Sequence, residues 1–229
     1  EGVKAFFAHA EKIFQKGFVE LGDKNFSNPY SMLGVAPQLL KLNAVRPVYS
    51  MVSKFVKNEK VRQFLSFHPL LIGGNPFRAS AVYSLINRLE RAYGVFHPIG
   101  GMNKLAEAFD KRFRELGGVT FLSSPVESVS KNLSGDFVVE TSNQTLVSNK
   151  LLVNADMHRF VKTVLKGNAY PKKLSRKLSR ADLSMSAFLM YFGTNKQWPE
   201  MCQHTIALGP RYKELLEDIF IKKIEFEDF

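Results

Sequence analysis

The chain has one cysteine, Cys202, among 229 residues. A single thiol excludes an internal disulfide and any zinc site built from clustered cysteines, and it fits a reducing compartment. No apolar run approaches the roughly 20 residues that a membrane-spanning helix needs. The sequence holds no G-x-G-x-x-G, no P-loop and no G-x-S-x-G elbow, so it encodes neither a complete phosphate cradle nor a serine-nucleophile turn. Its five histidines, His9, His68, His97, His158 and His204, are scattered. None pairs with another at helical ligand spacing beside a carboxylate, so no metal site is expected. No residue is assigned a catalytic role on motifs alone. The first residues, EGVKAFFAHAEKIF, carry acidic residues and a helical apolar spacing, which is neither a signal nor a transit pattern. With no initiator methionine ahead of them, the chain is expected to be a fragment.

Acidic residues are also scarce. Against 32 lysines and arginines there are 21 aspartates and glutamates, a net charge of +11 and a pI near 9.7. Such an excess favours an anionic partner, either nucleic acid or an anionic bilayer surface. It is concentrated between residues 159 and 180, where Arg159, Lys162, Lys166, Lys172, Lys173, Arg176, Lys177 and Arg180 stand without one acid. That run reads either as a solvated face or as a docking surface. What is abundant is phenylalanine, 20 in all within a 45% apolar composition; the rings either fill an aromatic core or line an apolar cavity.

Periodicity divides the chain. Val3, Phe6, Phe7, Ala10, Ile13, Phe14, Phe18 and Leu21 recur at helical spacing before Gly22. Further helices are expected after Pro37, over residues 59–67, and over residues 79–93 with Gly94 at the C-cap. The pattern changes at Val95. A short extended piece reaches Gly100-Gly101, an ordinary helix entrance or an anion-facing one. The helix that follows has Met102, Leu105, Ala106, Phe109, Phe113 and Leu116 on the side expected to be buried. Strands are expected at 119–122 and 126–130, a hairpin at 137–141 and 145–147 around Asn143, and a strand covered on both faces at 151–153. Beyond the basic helical stretch, strands are expected at 185–192 and 204–208, then a last helix from Tyr212. Gly73-Gly74 before Asn75-Pro76 makes a tight bend, or a close approach of backbone to a ligand.

Several blocks stand in a specific serial order: FLSFHPLLIGGNPF at 64–77, SLINRLERAYGVFHPIGGMNKLAEAF at 84–109, ELGG at 115–118, LLVNAD at 151–156, FLMYFG at 188–193 and HTIALGPRYKELLEDIF at 204–220. This order resembles the central part of bacterial-type phytoene desaturases, FAD-dependent enzymes that introduce conjugated double bonds into carotenoid precursors. The resemblance covers nearly the whole chain. It implies an α/β flavoprotein with an α+β substrate domain, in which a partial Rossmann-type FAD-binding domain is interrupted by a mainly helical, sheet-containing substrate domain. Residues 1–94 would be the helical part of the substrate domain, 95–158 a segment of the FAD-binding domain, and 159–229 the remainder of the substrate domain. The family's glycine-rich phosphate loop and its later flavin-contacting stretch are absent from this sequence.

The same resemblance assigns cofactor contacts. Val126 matches the family's adenine-contacting strand and would act through its backbone amide and carbonyl, while Asn154, Ala155 and Asp156 would end a strand close to FAD. The implied reaction removes hydrogen from adjacent carbons of an apolar polyene, with hydride passing to flavin. The implied partners are a carotenoid precursor and the membrane surface, with the protein cytoplasmic and peripheral on the bilayer. Nucleic acid is not an expected partner, because the basic run has neither a recognition module nor interleaved aromatic residues. One departure stands out. Where family members often carry Arg-Asp before Met-Leu, this chain has Tyr30-Ser31 before Met32-Leu33, so a carboxylate base is missing there. A later-step desaturase, ketolase or isomerase of the same flavoprotein fold is the alternative that this departure raises.

Overall fold

The computed structural model describes residues 1–24, 30, 33–167, 171–202 and 204–224. The chain forms two compact units, one from Glu1–Val95 with Ser184–Phe229 and one from Phe96–Leu183.

In the first unit, helix α1 (Gly2–Phe14) runs into a π-helical turn at Gln15–Glu20. Phe6, Ala10, Ile13 and Phe14 are its buried residues, the spacing of one helical face. Pro37 sits in the first turn of α2 (Ala36–Lys41), as expected. Helix α3 (Val48–Ser53) is an element that the apolar pattern does not announce, because only six residues carry it. Its entrance is tied down by tertiary bonds: the Val48 amide donates to the Ala79 carbonyl (2.9 Å), beside a bridge between Pro47 and Ser80. Helix α4 (Glu59–Ser66) is capped by Asn58, whose side chain accepts from the Val61 amide. The expected helix over 79–93 is shorter. A 3-10 turn at Ala81–Tyr83 precedes α5 (Ser84–Tyr93), since Ser80 is held in extended geometry by its bridge to Pro47. Gly94 ends α5 at φ 79°.

Phe6, Ile13, Val48, Met51, Val52, Val56, Leu65 and Ala81 form the core of this unit. The bend at Gly73-Gly74 closes on the protein itself. Gly73 has φ 73°, and a Cβ there would lie 2.6 Å from that of Ser184. Asn75 then accepts from the Phe77 amide (2.9 Å) to fix the turn. Close chain packing therefore accounts for this glycine. The last helix, α9 (Tyr212–Glu217, continuing as a π-turn through Asp218–Lys222), lies in the same unit.

The second unit contains α6 (Met102–Glu115) and a three-stranded antiparallel meander, β1 (Val126–Lys131), β2 (Phe137–Thr141) and β3 (Thr145–Ser148). The hairpin falls where it is expected: Val139 pairs with Leu146 across the Asn143 turn. A register irregularity marks the start of β1 between Val126 and Ser128. Short α7 (Met157–Arg159) passes into a π-turn at Phe160–Val164. This segment packs on β1. Val129 and Leu165 form a parallel bridge, Lys166 donates to the Val129 carbonyl (2.8 Å), and Val129 and Val161 are 1% and 2% exposed. That packing carries the unit past residue 158 to include α8 (Lys172–Leu178).

The architecture is thus mixed helix and sheet, but several expected strands are not formed. Residues 119–122, 151–153, 185–192 and 204–208 make no ladder among the described residues. Leu152, expected to be covered on both faces, is 96% exposed. Apolar content alone does not make a strand, because backbone N–H and C=O groups need a neighbouring strand to pair with. The side of α6 expected to be buried is also open: Met102, Leu105, Phe109, Phe113 and Leu116 are all exposed. The helix forms where its pattern places it, but nothing described covers it.

Candidate functional site

A cleft of about 460 Å³ opens in the second unit between the start of β1 and the start of α7. Val126, Glu127, Ala155, Asp156, Arg159, Phe160, Thr163 and Val164 line it. Local structure explains how residues so far apart in sequence meet. β1 is an edge strand of the meander, and the bridge from Val129 to Leu165 draws the 160–164 turn alongside it. Asp156 is the N-cap of α7: its Oδ1 accepts from the Arg159 amide at 2.6 Å. The cap fixes where the 155–156 turn stands relative to β1, and it presents the Arg159 side chain at the same mouth.

Three of the four residues assigned to cofactor contact, Val126, Ala155 and Asp156, therefore line one cleft, and Asn154 precedes it in the chain without lining it. The walls combine aliphatic and aromatic surface (Val126, Phe160, Val164) with two carboxylates, one hydroxyl and one guanidinium. Carboxylates of this kind accept from vicinal hydroxyls, and a guanidinium pairs with phosphate oxygens. The cleft's described lining holds no histidine, cysteine or lysine. Glu127, Arg159 and Phe160 were not anticipated from sequence. Glu127 follows directly on Val126, so the strand assignment carried that signal; Arg159 and Phe160 needed the packing of the π-turn on β1.

Elsewhere, His68, Asn87 and His9 are held in hydrogen bonds within the fold. His68, 2% exposed, places Nε2 3.0 Å from a Glu90 carboxylate oxygen and its other ring nitrogen 3.4 Å from Asn87. Asn87 also donates to the Leu65 carbonyl at 3.0 Å. His9 lies 2.9 Å from the Leu42 carbonyl. Among the described phenylalanines, Phe6, Phe14 and Phe67 are buried, while Phe18, Phe64, Phe96, Phe109, Phe113, Phe121, Phe188 and Phe192 are exposed. Of the two positions that depart from the desaturase pattern, Tyr30 is 78% exposed, and Ser31 lies outside the described residues. Among the described residues no helix is long and apolar enough to cross a membrane.

Comparison with known proteins supplies the family. Residues 6–160 match the model for flavin containing amine oxidoreductases. Along its whole length the chain is 38% identical to a lycopene-forming phytoene desaturase of Pseudescherichia vulneris, of which it covers 47%. It is 36% identical to another lycopene-forming phytoene desaturase, from Pantoea ananas, with 47% of that protein covered. A neurosporene-forming phytoene desaturase of Rhodobacter capsulatus is 35% identical, with 44% covered. The chain spans less than half the length of these relatives.

Proposed function

Because the chain belongs to the flavin-containing amine oxidoreductase family, we propose that it is the central part of an FAD-dependent desaturase acting on a carotenoid precursor of the phytoene type. The observation that carries this reading is similarity over 100% of the chain to proteins named phytoene desaturases. The cleft beside β1 fits this reading, since its residues suit the adenosine end of a dinucleotide. Val126 supplies backbone groups from the strand start, Ala155 leaves room for a flat ring, and Glu127 offers acceptors for ribose hydroxyls. The capping bond from Asp156 holds the 155–156 turn in place. The phosphate loop would come from outside this sequence, which holds no G-x-G-x-x-G.

When bound, FAD supplies the two-electron chemistry, accepting the hydride removed from one of two adjacent carbons. The chain's own residues bind and shield. A polyene offers no hydrogen-bonding groups, so apolar area must supply affinity, at about 25 cal/mol per Å2 removed from water. In this reading residues 1–94 and 159–229 contribute to the substrate domain and 95–158 to an interrupted Rossmann-type domain. The exposed apolar side of α6 and the unpaired runs at 119–122 and 151–153 are what such a layer presents before its remaining strands are added. Docking on the cytoplasmic face of a membrane gives the enzyme access to a substrate that dissolves in lipid.

The absence of a carboxylate at Tyr30-Ser31 favours a second reading, a later-step desaturase, ketolase or isomerase of carotenoids with the same cofactor. Chromatography of the products formed from phytoene by the full-length protein separates the two. Products with added conjugated double bonds support the first; unchanged phytoene alongside conversion of a more unsaturated carotenoid supports the second. No FAD-dependent conversion of any carotenoid overturns both.

A further inference from the structure

The cleft between β1 and α7 has one cation among its described lining residues, Arg159. Arg159 is exposed, and its guanidinium enters no ion pair among the described residues, although Glu127 and Asp156 line the same walls. Its main chain, by contrast, is committed. The amide donates to Asp156 Oδ1 at 2.6 Å, and the carbonyl accepts from the Thr163 hydroxyl at 2.8 Å. The second bond decides what the walls can offer. Thr163 is the other lining side chain with a proton to donate, and it spends that proton on the turn. Ionised carboxylates only accept, and Val126, Ala155, Phe160 and Val164 have no polar side-chain atom. Arg159 is therefore the one side chain in the described lining left to donate to a ligand.

Charge says which group of the ligand it takes. Two carboxylates against one guanidinium leave the walls with an excess of negative charge, which suits hydroxyl donors and repels an anion. A dinucleotide brings both. Its ribose hydroxyls donate to carboxylates, whereas its ionised diphosphate is turned away by them. A guanidinium answers that repulsion, because its planar fork pairs with phosphate oxygens through two parallel bonds. We infer that Arg159 holds the adenosine-side phosphate of FAD, and that without it the acidic walls of the cleft disfavour the cofactor. The resemblance to desaturases assigns no residue of this chain to the phosphates. The inference rests on the reading of this cleft as the adenosine end of an FAD site.

FAD binding to the full-length protein stripped of flavin, read from the change in flavin fluorescence, tests it without reference to catalysis. ADP and adenosine serve as competitors, because they share ring and ribose and differ in the phosphates. Arg159→Gln is expected to weaken FAD and ADP by about 10- to 100-fold, the worth of hydrogen bonds to a charged group, and to leave adenosine unchanged. The cap bond comes from the Arg159 main chain, so the substitution keeps the turn, and circular dichroism checks the fold of each variant. Arg159→Lys keeps the charge without the fork and is expected to lose less than Arg159→Gln. Lys162→Gln removes the same charge from an exposed position on the same turn, outside the cleft lining, and is expected to match wild type with all three ligands. Equal loss of ADP and adenosine in Arg159→Gln places the guanidinium on the ring and overturns the inference. Unchanged FAD affinity in Arg159→Gln does so too, as does an equal loss in Lys162→Gln. The expected losses without conversion of any carotenoid by the wild-type protein remove the desaturase reading and leave Arg159 in its role; conversion with unchanged FAD affinity in Arg159→Gln does the reverse.

Discussion

At the scale of the residue, the polar network at the start of the GGNP region is the most consequential. Asn87 is 6% exposed and joins Leu65 to His68, which in turn meets Glu90. Truncating it removes the donor to the buried Leu65 carbonyl and the contact at one ring nitrogen of His68, whose other nitrogen keeps Glu90, so Asn87→Ala is expected to cost about 1–3 kcal/mol, measured by urea unfolding of the full-length protein. A cost near zero would mean that water replaces the amide. Asp110 gives a pH signature. The Thr120 hydroxyl, and then the Arg114 guanidinium at 2.8 Å, hold its carboxyl below the ordinary aspartate range. A lowered carboxylate pKa stabilises the fold above the unfolded-state value, and that benefit disappears as pH falls through the folded-state value. Thr120→Val should therefore melt below wild type at neutral pH, with the two converging in acid; a gap independent of pH would refute the bond's role. Neither network was legible in the sequence. His68 and His9 read as isolated histidines because their partners lie 22 and 33 residues away.

Among the elements, helices with a long apolar face were readable, and short or paired ones were not. α1, α4 and α6 follow their side-chain periodicity. α3 has six residues and depends on the tie between Val48 and Ala79, so no window of the sequence could announce it. The hairpin was legible because its turn and both strands are contiguous. The runs at 119–122 and 151–153 have the apolar content of strands, which registers burial in a layer but not the neighbours that complete it. α6 makes the same point from its side chains, with Phe109 69% exposed. If the remaining strands of a Rossmann-type layer cover that face, Phe109→Ser in the full-length protein should cost about 3–5 kcal/mol, as loss of a core phenylalanine does. If the face stays open, the change should lie within about 0.5 kcal/mol. Thermal melting separates the two.

For the molecule as a whole, the serial order of motifs carried more than any single residue. The resemblance it carries assigns Val126 and residues 154–156 to one cofactor, and three of these four residues line the cleft beside β1. It did not place Arg159 and Phe160 there, because the π-turn that brings them to β1 begins at Phe160, inside a run that composition describes only as basic and helical. The central claim concerns electrons: hydrogen leaves a carotenoid precursor and the flavin receives it. Anaerobic mixing of the flavin-loaded full-length protein with phytoene tests this most directly. The account predicts that oxidised-flavin absorbance falls in step with the appearance of a longer conjugated polyene. Flavin that stays oxidised while phytoene and the more unsaturated carotenoids are recovered unchanged would contradict it.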